Sequence, residues 1–385
     1  MPHIVDERPV APAGAGEAGP GGRRRWHLWL LPALALGVAA CVAVLATGAL
    51  DSLSSPAAPP ATVAAGGTGV VRVLAATGQV RAGAGFAEVN GIADGLGGLW
   101  VTAGKGRQDH ILYAVNPATG RVFGQVDLPS RVVINPNDVA VGAGAVWVAV
   151  GASVYRVEPG GALVGGTVTR AFAALPPGDV IGDLVVDAGA LWVTDTARGQ
   201  VYRFAVSTGR REAVIAVGAT AGAMAVGDGG VWVADVDART VSRISVTDNR
   251  VDSVLTFPGA PSHIAATGDG LWATDGTGRV AAALNGDGGR ILTVPVGAQA
   301  TGLAATGDTV WVASTADGTL SRIDARRPAV VATMHVGTRP YAVAADRQGA
   351  WVAVLGQPVM DAPPGLSSAP GGGELAWQQR LCGGD

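Results

Sequence analysis

An imidazole within reach of a carboxylate is a common arrangement for general-base catalysis, and His263 with Asp275 is the pair in this chain best placed for it. Asp275 also belongs to a series. Asp195, Asp235 and Asp275 recur at intervals of 40 residues, and carboxylates brought together from three repeats would suit a divalent cation, which takes oxygen ligands. The same residue type serves equally as a turn cap, because an Asp side chain bonds backbone amides a little further along the chain. A third set lies in three long segments, 103–110, 128–138 and 169–183: Lys105, Arg107, Asp109, Arg131, Asn135, Asn137 and Arg170. Binding residues concentrate on loops held by a rigid scaffold, so this set is expected to contact an unidentified protein or envelope ligand. No serine-nucleophile motif, phosphate loop or HExxH pattern occurs. The two cysteines, Cys41 and Cys382, provide neither a disulfide framework nor a cysteine metal site.

The elements that must position these residues follow a tryptophan period. Trp100, Trp147, Trp192, Trp232, Trp272, Trp311 and Trp351 stand 39 to 47 residues apart, each after a small-residue turn and before Val or Ala. A period near 40 marks an array of one supersecondary unit. Residues 222–259 show its content: four short runs rich in Val, Ile, Ala and Thr, divided by turns such as GDGG (227–230) and VTDN (246–249). Such runs read as strands joined by tight hairpins. Four-stranded units stacked radially give an all-β fold, a seven-bladed β-propeller, with each Trp filling the space between blades.

The seventh unit carries only two inner strands, RPYAVAADRQGAWVAVLG, but VVRVLAATGQVRAGAG (70–85) matches the outer half of unit three, VYRFAVSTGRREAVIAVG (201–218). The last blade is therefore expected to be shared between the two ends of a ring spanning 69–355. In that ring, Asn90, Asn137, Gly182, Gly222, Ser262, Thr301 and Tyr341 stand ten residues before each Trp, with Asp138, Asp183 and His263 one position later. These residues and the aspartates three after the Trp should surround one mouth of the channel.

A net charge of −3 over 385 residues gives no footprint for a nucleic-acid partner. Residues 1–22 are rich in Pro, Gly and Ala, a composition that disfavours a folded core. Arg23, Arg24 and Arg25 then precede a stretch without formal charge from Trp26 to Leu50, long enough to cross a bilayer, with Trp26 and Trp29 where interfacial aromatics belong. The basic cluster places the N-terminus in the cytoplasm and the ring outside, as a single-pass protein of the cell membrane. Cleavage of the span as an ordinary signal is one alternative. A lipoprotein is another, since VAAC (38–41) would make Cys41 the acylated residue. The apolar VAVLATGAL that follows Cys41 favours the anchor. Residues 51–68 read as a Ser/Pro/Ala linker and 356–385 as a flexible tail.

The phrases VSRISVTDNRVDSVLTFPGAPSHIA and LSRIDARRPAVVATMHVGTRPYAVAA resemble the YVTN-type, YncE-like propeller repeat, over roughly 70–355. That resemblance implies an extracytoplasmic propeller and assigns no reaction. Trp is never followed by Asp, which separates the chain from WD40 repeats. More distantly, the chain is similar to virginiamycin B lyase-like propellers, which open a cyclic peptide lactone by elimination using a His, an acid at Trp-x-x-Glu and a metal ion. That likeness implies His263 and Asp275 as the catalytic pair. The sequence departs from it in carrying Asp for Glu, a shorter spacing, and Gly222 where a second His is wanted.

Overall fold

The computed structural model describes residues 68–356, apart from 87, 105–109, 130–137, 160–163, 169–170, 188, 269 and 285–290. The chain divides into Met1–Ala58 and Pro59–Asp385, and the first unit lies wholly outside the described residues.

Blade four shows how local chemistry makes the unit. Its strands are Ala221–Gly227, Gly230–Asp235, Thr240–Ser245 and Arg250–Thr256, paired antiparallel in sequence order. Asp228 and Gly229 both adopt positive φ, 52° and 66°, as the tightest hairpin turn demands. Asn249 does the same at 56° before the outermost strand. The innermost strand of each blade lines the channel and the second carries the Trp. All seven repeat tryptophans are almost fully buried. Trp232 packs with Ile264, Leu271 and Ala273 of the following blade, and Trp311 packs with Val71 and Val352 of blade seven.

Blade seven is assembled from both ends of the ring. Its strand order is Val80–Phe86, Thr68–Leu74, Gly349–Val354, Pro340–Asp346, with Arg72 directly opposite Trp351. The expected shared blade is the one observed. The seven sheets form a seven-bladed all-β propeller.

Opposite the Trp, the third strand presents Arg in five blades: Arg156, Arg203, Arg243, Arg322 and Arg72. In four of these the guanidinium lies 5.0–6.0 Å from the ring of Trp147, Trp192, Trp232 or Trp351. Each of the four also has an acidic partner: Glu158, Glu212, Asp252 or Asp346. An arginine stacked on a ring and held by an acid covers that ring with its aliphatic stem and its charge together. Blades one and five have Ala114 and Ala283 at this position.

Blade two departs from the expected repeat. Its inner strands Asp138–Gly142, Ala145–Val150 and Ser153–Val157 are regular, but its outer edge is only Ala173–Ala174. The run Val164–Thr167, which repeat length assigns to that edge, instead pairs in parallel with Val122–Leu128 as a fifth strand of blade one. The segment read as a long loop from 169 to 183 thus contains part of blade two, with Ala173 and Leu175 buried among Trp147 and Ile181. Trp147 meets Phe172 edge-on at 4.8 Å.

Among the described residues no helix is long and apolar enough to cross a membrane. The span 26–50 with Cys41 and the tail from 357 lie outside those residues. The first strand begins at Thr68, the residue assigned to the end of the linker.

Candidate functional site

The channel mouth is built at the start of the inner strands. In six of the seven blades the pairing between the inner strand and the Trp strand shifts register there, as between Pro261 and His263. A bulge of this kind re-aims side chains and leaves a backbone amide unpaired. Asp138 and Asp183, at matching positions in blades two and three, answer those amides. Asp138 accepts from Val139 N at 2.8 Å and from Leu184 N of the next blade at 3.4 Å. Asp183 accepts from Leu184 N at 2.6 Å and from Met224 N of blade four. The two carboxyls are also hydrogen-bonded to each other, which requires a proton between them. Burial raises both above the usual carboxylate range, and Asp183 stands well above it because the charge of Asp138 adds to the burial. The dyad is a proton-holding clamp across three blades.

His263 occupies the matching position in blade five. Register places it opposite Thr274, with Pro261 opposite Asp275, so His263 and Asp275 do lie at the same end of one blade. Solvent reaches the His263 ring, yet protein surrounds it in depth, as befits a side chain inside a narrow channel. That enclosure lowers its pKa from 6.5 to about 4, so the imidazole is neutral at pH 7. Its Nδ1 lies 3.4 Å from Ser262 Oγ. Asp275 turns the other way, accepting from Thr277 N at 3.1 Å and Thr277 Oγ1 at 2.9 Å.

The other two members of the series behave alike. Asp195 accepts from Ala197 N and Arg198 N, and Asp235 from Thr220 Oγ1 and Ala238 N. Burial raises Asp195; burial acts the same way on Asp235, but bonds from Thr220, Ala238 and Asp237 hold it below the usual range. Asp235 and Asp275 each also dictate a glycine in the connection entering the blade. A Cβ at Gly218 would come within 2.0 Å of Asp235 Oδ2, and one at Gly259 within 2.3 Å of Asp275 Oδ2. Asp195, Asp235 and Asp275 are thus turn caps of three separate blades. Among the described residues no three His, Cys, Asp or Glu side chains converge as metal ligands.

Lys105, Arg107, Asp109, Arg131, Asn135, Asn137 and Arg170 lie outside the described residues. The neighbours that hold them are defined: Gly98–Gly104 and His110–Val115 on either side of the first loop, and Asp138 after the second. Sequence reasoning marked Asp138 and Asp183 as channel residues but missed that they bond each other. Their spacing of 45 residues was the available signal. At the seam, Tyr341 OH donates to Val89 O of blade one, again joining neighbouring blades at the level of the channel mouth.

No family model and no curated protein matches the chain. Among solved structures, a streptogramin B lyase aligns with a TM-score of 0.59 at 14% identity, covering 77% of this chain and 98% of its own. The computationally designed protein Ika8 aligns at 0.55 with 15% identity, over 76% of this chain and 92% of its own. BBS1N, solved in complex with ARL6DN, reaches 0.50 at 16% identity, over 68% of this chain and 88% of its own. At such identities the likeness is one of fold.

Proposed function

We propose that this chain is a membrane-anchored, extracytoplasmic β-propeller that binds a protein or envelope ligand through the long loops of blades one to three. The observation that carries the reading is the use made of Asp195, Asp235 and Asp275: each holds its own turn. The repeating acidic positions are therefore structural, and unusual polar content resides in 103–110, 128–138 and the start of 169–183, before Ala173–Ala174. Arginine in such loops contributes disproportionately to protein contacts. Replacing Arg107 and Arg131 with Ala, separately and together, should abolish capture of co-purifying envelope proteins or polymers without moving the melting temperature. Capture retained in the double variant removes the assignment to these loops. The anchor reading is tested separately: protease added to intact cells should remove a C-terminal tag and spare an N-terminal one.

A second reading is a lyase, favoured by one observation, the alignment over nearly the whole of the streptogramin B lyase structure. His263 would be its base, neutral at pH 7 but weak. Incubation with a streptogramin B decides the matter by mass spectrometry. A linear elimination product that disappears in His263→Ala replaces the binding reading with the enzymatic one.

A further inference from the structure

Ala283 breaks the rule that arginine covers the repeat tryptophan. Blade one breaks it too, at Ala114; there Phe123 lies near Trp100, since a Cβ built on Gly98 would meet both rings at 3.6–3.7 Å. In blade five no arginine among the described residues takes that place, although Trp272 is as buried as its six counterparts. Beside Trp272 lies a cavity of about 290 Å³ whose wall includes Leu271, Ala283, Leu284 and Leu292, with Arg326 from the following blade also on its wall. It opens at the hairpin end of blade five, away from His263, near the paired residues Thr267 and Gly270.

The lining decides what could enter. By analogy with four of the other blades, a cation would sit over Trp272. Those blades hold their guanidinium with an acid, twice on a bulged outer strand, as with Glu212 and Asp252. In blade five the outer strand pairs without a bulge and sets Leu292 opposite Ala283. Among the described residues the charged side chain on the wall is Arg326. Arg326 is 69% exposed and meets Asp308 through Nε at 3.1 Å, and a guanidinium has further N–H donors to offer. Apolar walls with one exposed guanidinium match a flat apolar group that ends in an anion.

We propose that this cavity is a binding site for a small free aryl carboxylate. The aryl group lies against Ala283 and Leu292 beside Trp272, and the carboxylate bonds the terminal nitrogens of Arg326. The volume admits a ligand of roughly a dozen non-hydrogen atoms, for which a Kd of about 1 mM is the scale expected. This inference is independent of the loop-binding reading, since it concerns other blades and another class of ligand.

The test titrates the full chain in detergent with 3-phenylpropionate and with its neutral analogue 3-phenylpropanamide, following the methyl resonances of alanine and leucine. The acid should bind at about 1 mM and shift Ala283 and Leu292, with the amide about tenfold weaker. Arg326→Gln should bring the acid down to the level of the amide. Ala283→Arg, which restores the repeat, should abolish both. Ala283→Leu fills the same space more gently and decides the case if the arginine variant does not fold. The proposal is overturned by acid and amide binding equally to the unaltered protein, by no shift at Ala283 up to 10-fold above the expected Kd, or by binding that survives in a folded Ala283→Leu.

Discussion

Two interfaces in this ring bring carboxyl groups of neighbouring blades together, and they resolve the repulsion differently. Between blades two and three, Asp138 and Asp183 meet with backbone amides and a shared proton. At the seam of blades seven and one, Asp94 senses the charges of both Asp346 and Arg72, and Arg72 contacts both oxygens of Asp346 at 2.6 and 2.8 Å. Successive blades find each other through short connections. Blade seven itself joins residues 274 apart, so closing the ring costs chain entropy that no local turn offsets. A cation stacked on Trp351 and locked onto one acid specifies the register of that closure. A proton clamp suffices where the chain itself already sets the register.

The strongest way to break the comparison is to remove the seam. A chain starting at residue 88 loses Thr68–Leu74 and Val80–Phe86, leaving blade seven with two strands and an open edge. It should aggregate, or melt at least 10 °C below a chain starting at residue 60, as read by scanning calorimetry. Equal melting would show that the shared blade adds nothing to closure.

A single seam residue comes next. Arg72→Ala strands Asp346 beside Asp94 and uncovers Trp351, and should cost about 3 kcal/mol in urea unfolding. Arg243→Ala makes the same change in blade four, where the partner Asp252 is on the surface and the pair connects adjacent strands. It should cost about 1 kcal/mol. Similar costs for the two would mean that the seam has no special dependence on its arginine.

The difference between these interfaces also marks what could be read from sequence. Each blade is built from turns and strands within about 40 residues, so Trp spacing, turn glycines and the split of blade seven were legible. The Trp-facing arginines were legible in principle, since Arg203, Arg243 and Arg322 each follow their Trp by 11 residues. Blade two's outer strand was not: GGALVGGTV (160–168) has no alternation to fix which sheet edge it joins. The bond between Asp138 and Asp183 lies between units, and no single repeat encodes it. The aspartates after Trp192, Trp232 and Trp272 were visible as a series, yet whether they face one another or their own turns depends on rotamers that the sequence leaves open.

The clamp between blades two and three gives a pH-dependent prediction. Both carboxyls are raised above their unfolded values. Their contribution is therefore fully present below about pH 3.8 and is lost as pH rises through the folded values. Asp183→Asn keeps an acceptor for Met224 N and gains an amide donor toward Asp138. It should leave stability unchanged near pH 3.5 and add about 1–2 kcal/mol by pH 8. A loss of stability at pH 8 would show that the proton clamp is a net asset rather than a tolerated cost.

At the seam the same substitution should matter less and stop changing sooner. Burial, with the charge of Asp346 adding to it and that of Arg72 opposing it, raises Asp94 to about 6. Its folded pKa exceeds the unfolded value, so the penalty for ionising it develops between about pH 4 and pH 6 and is constant above that. Asp94→Asn removes the penalty but also the attraction to Arg72, which leaves a net gain of about 0.5–1 kcal/mol. Melting curves at pH 4, 5, 6 and 7 should show the variant's advantage growing to pH 6 and then level. In the Arg72→Ala background the attraction is already gone, so the advantage of Asp94→Asn should become larger. If it shrinks there instead, Asp94 is not sensing the seam's charges, and the contrast between a guanidinium-bridged and a proton-bridged interface fails at its first member.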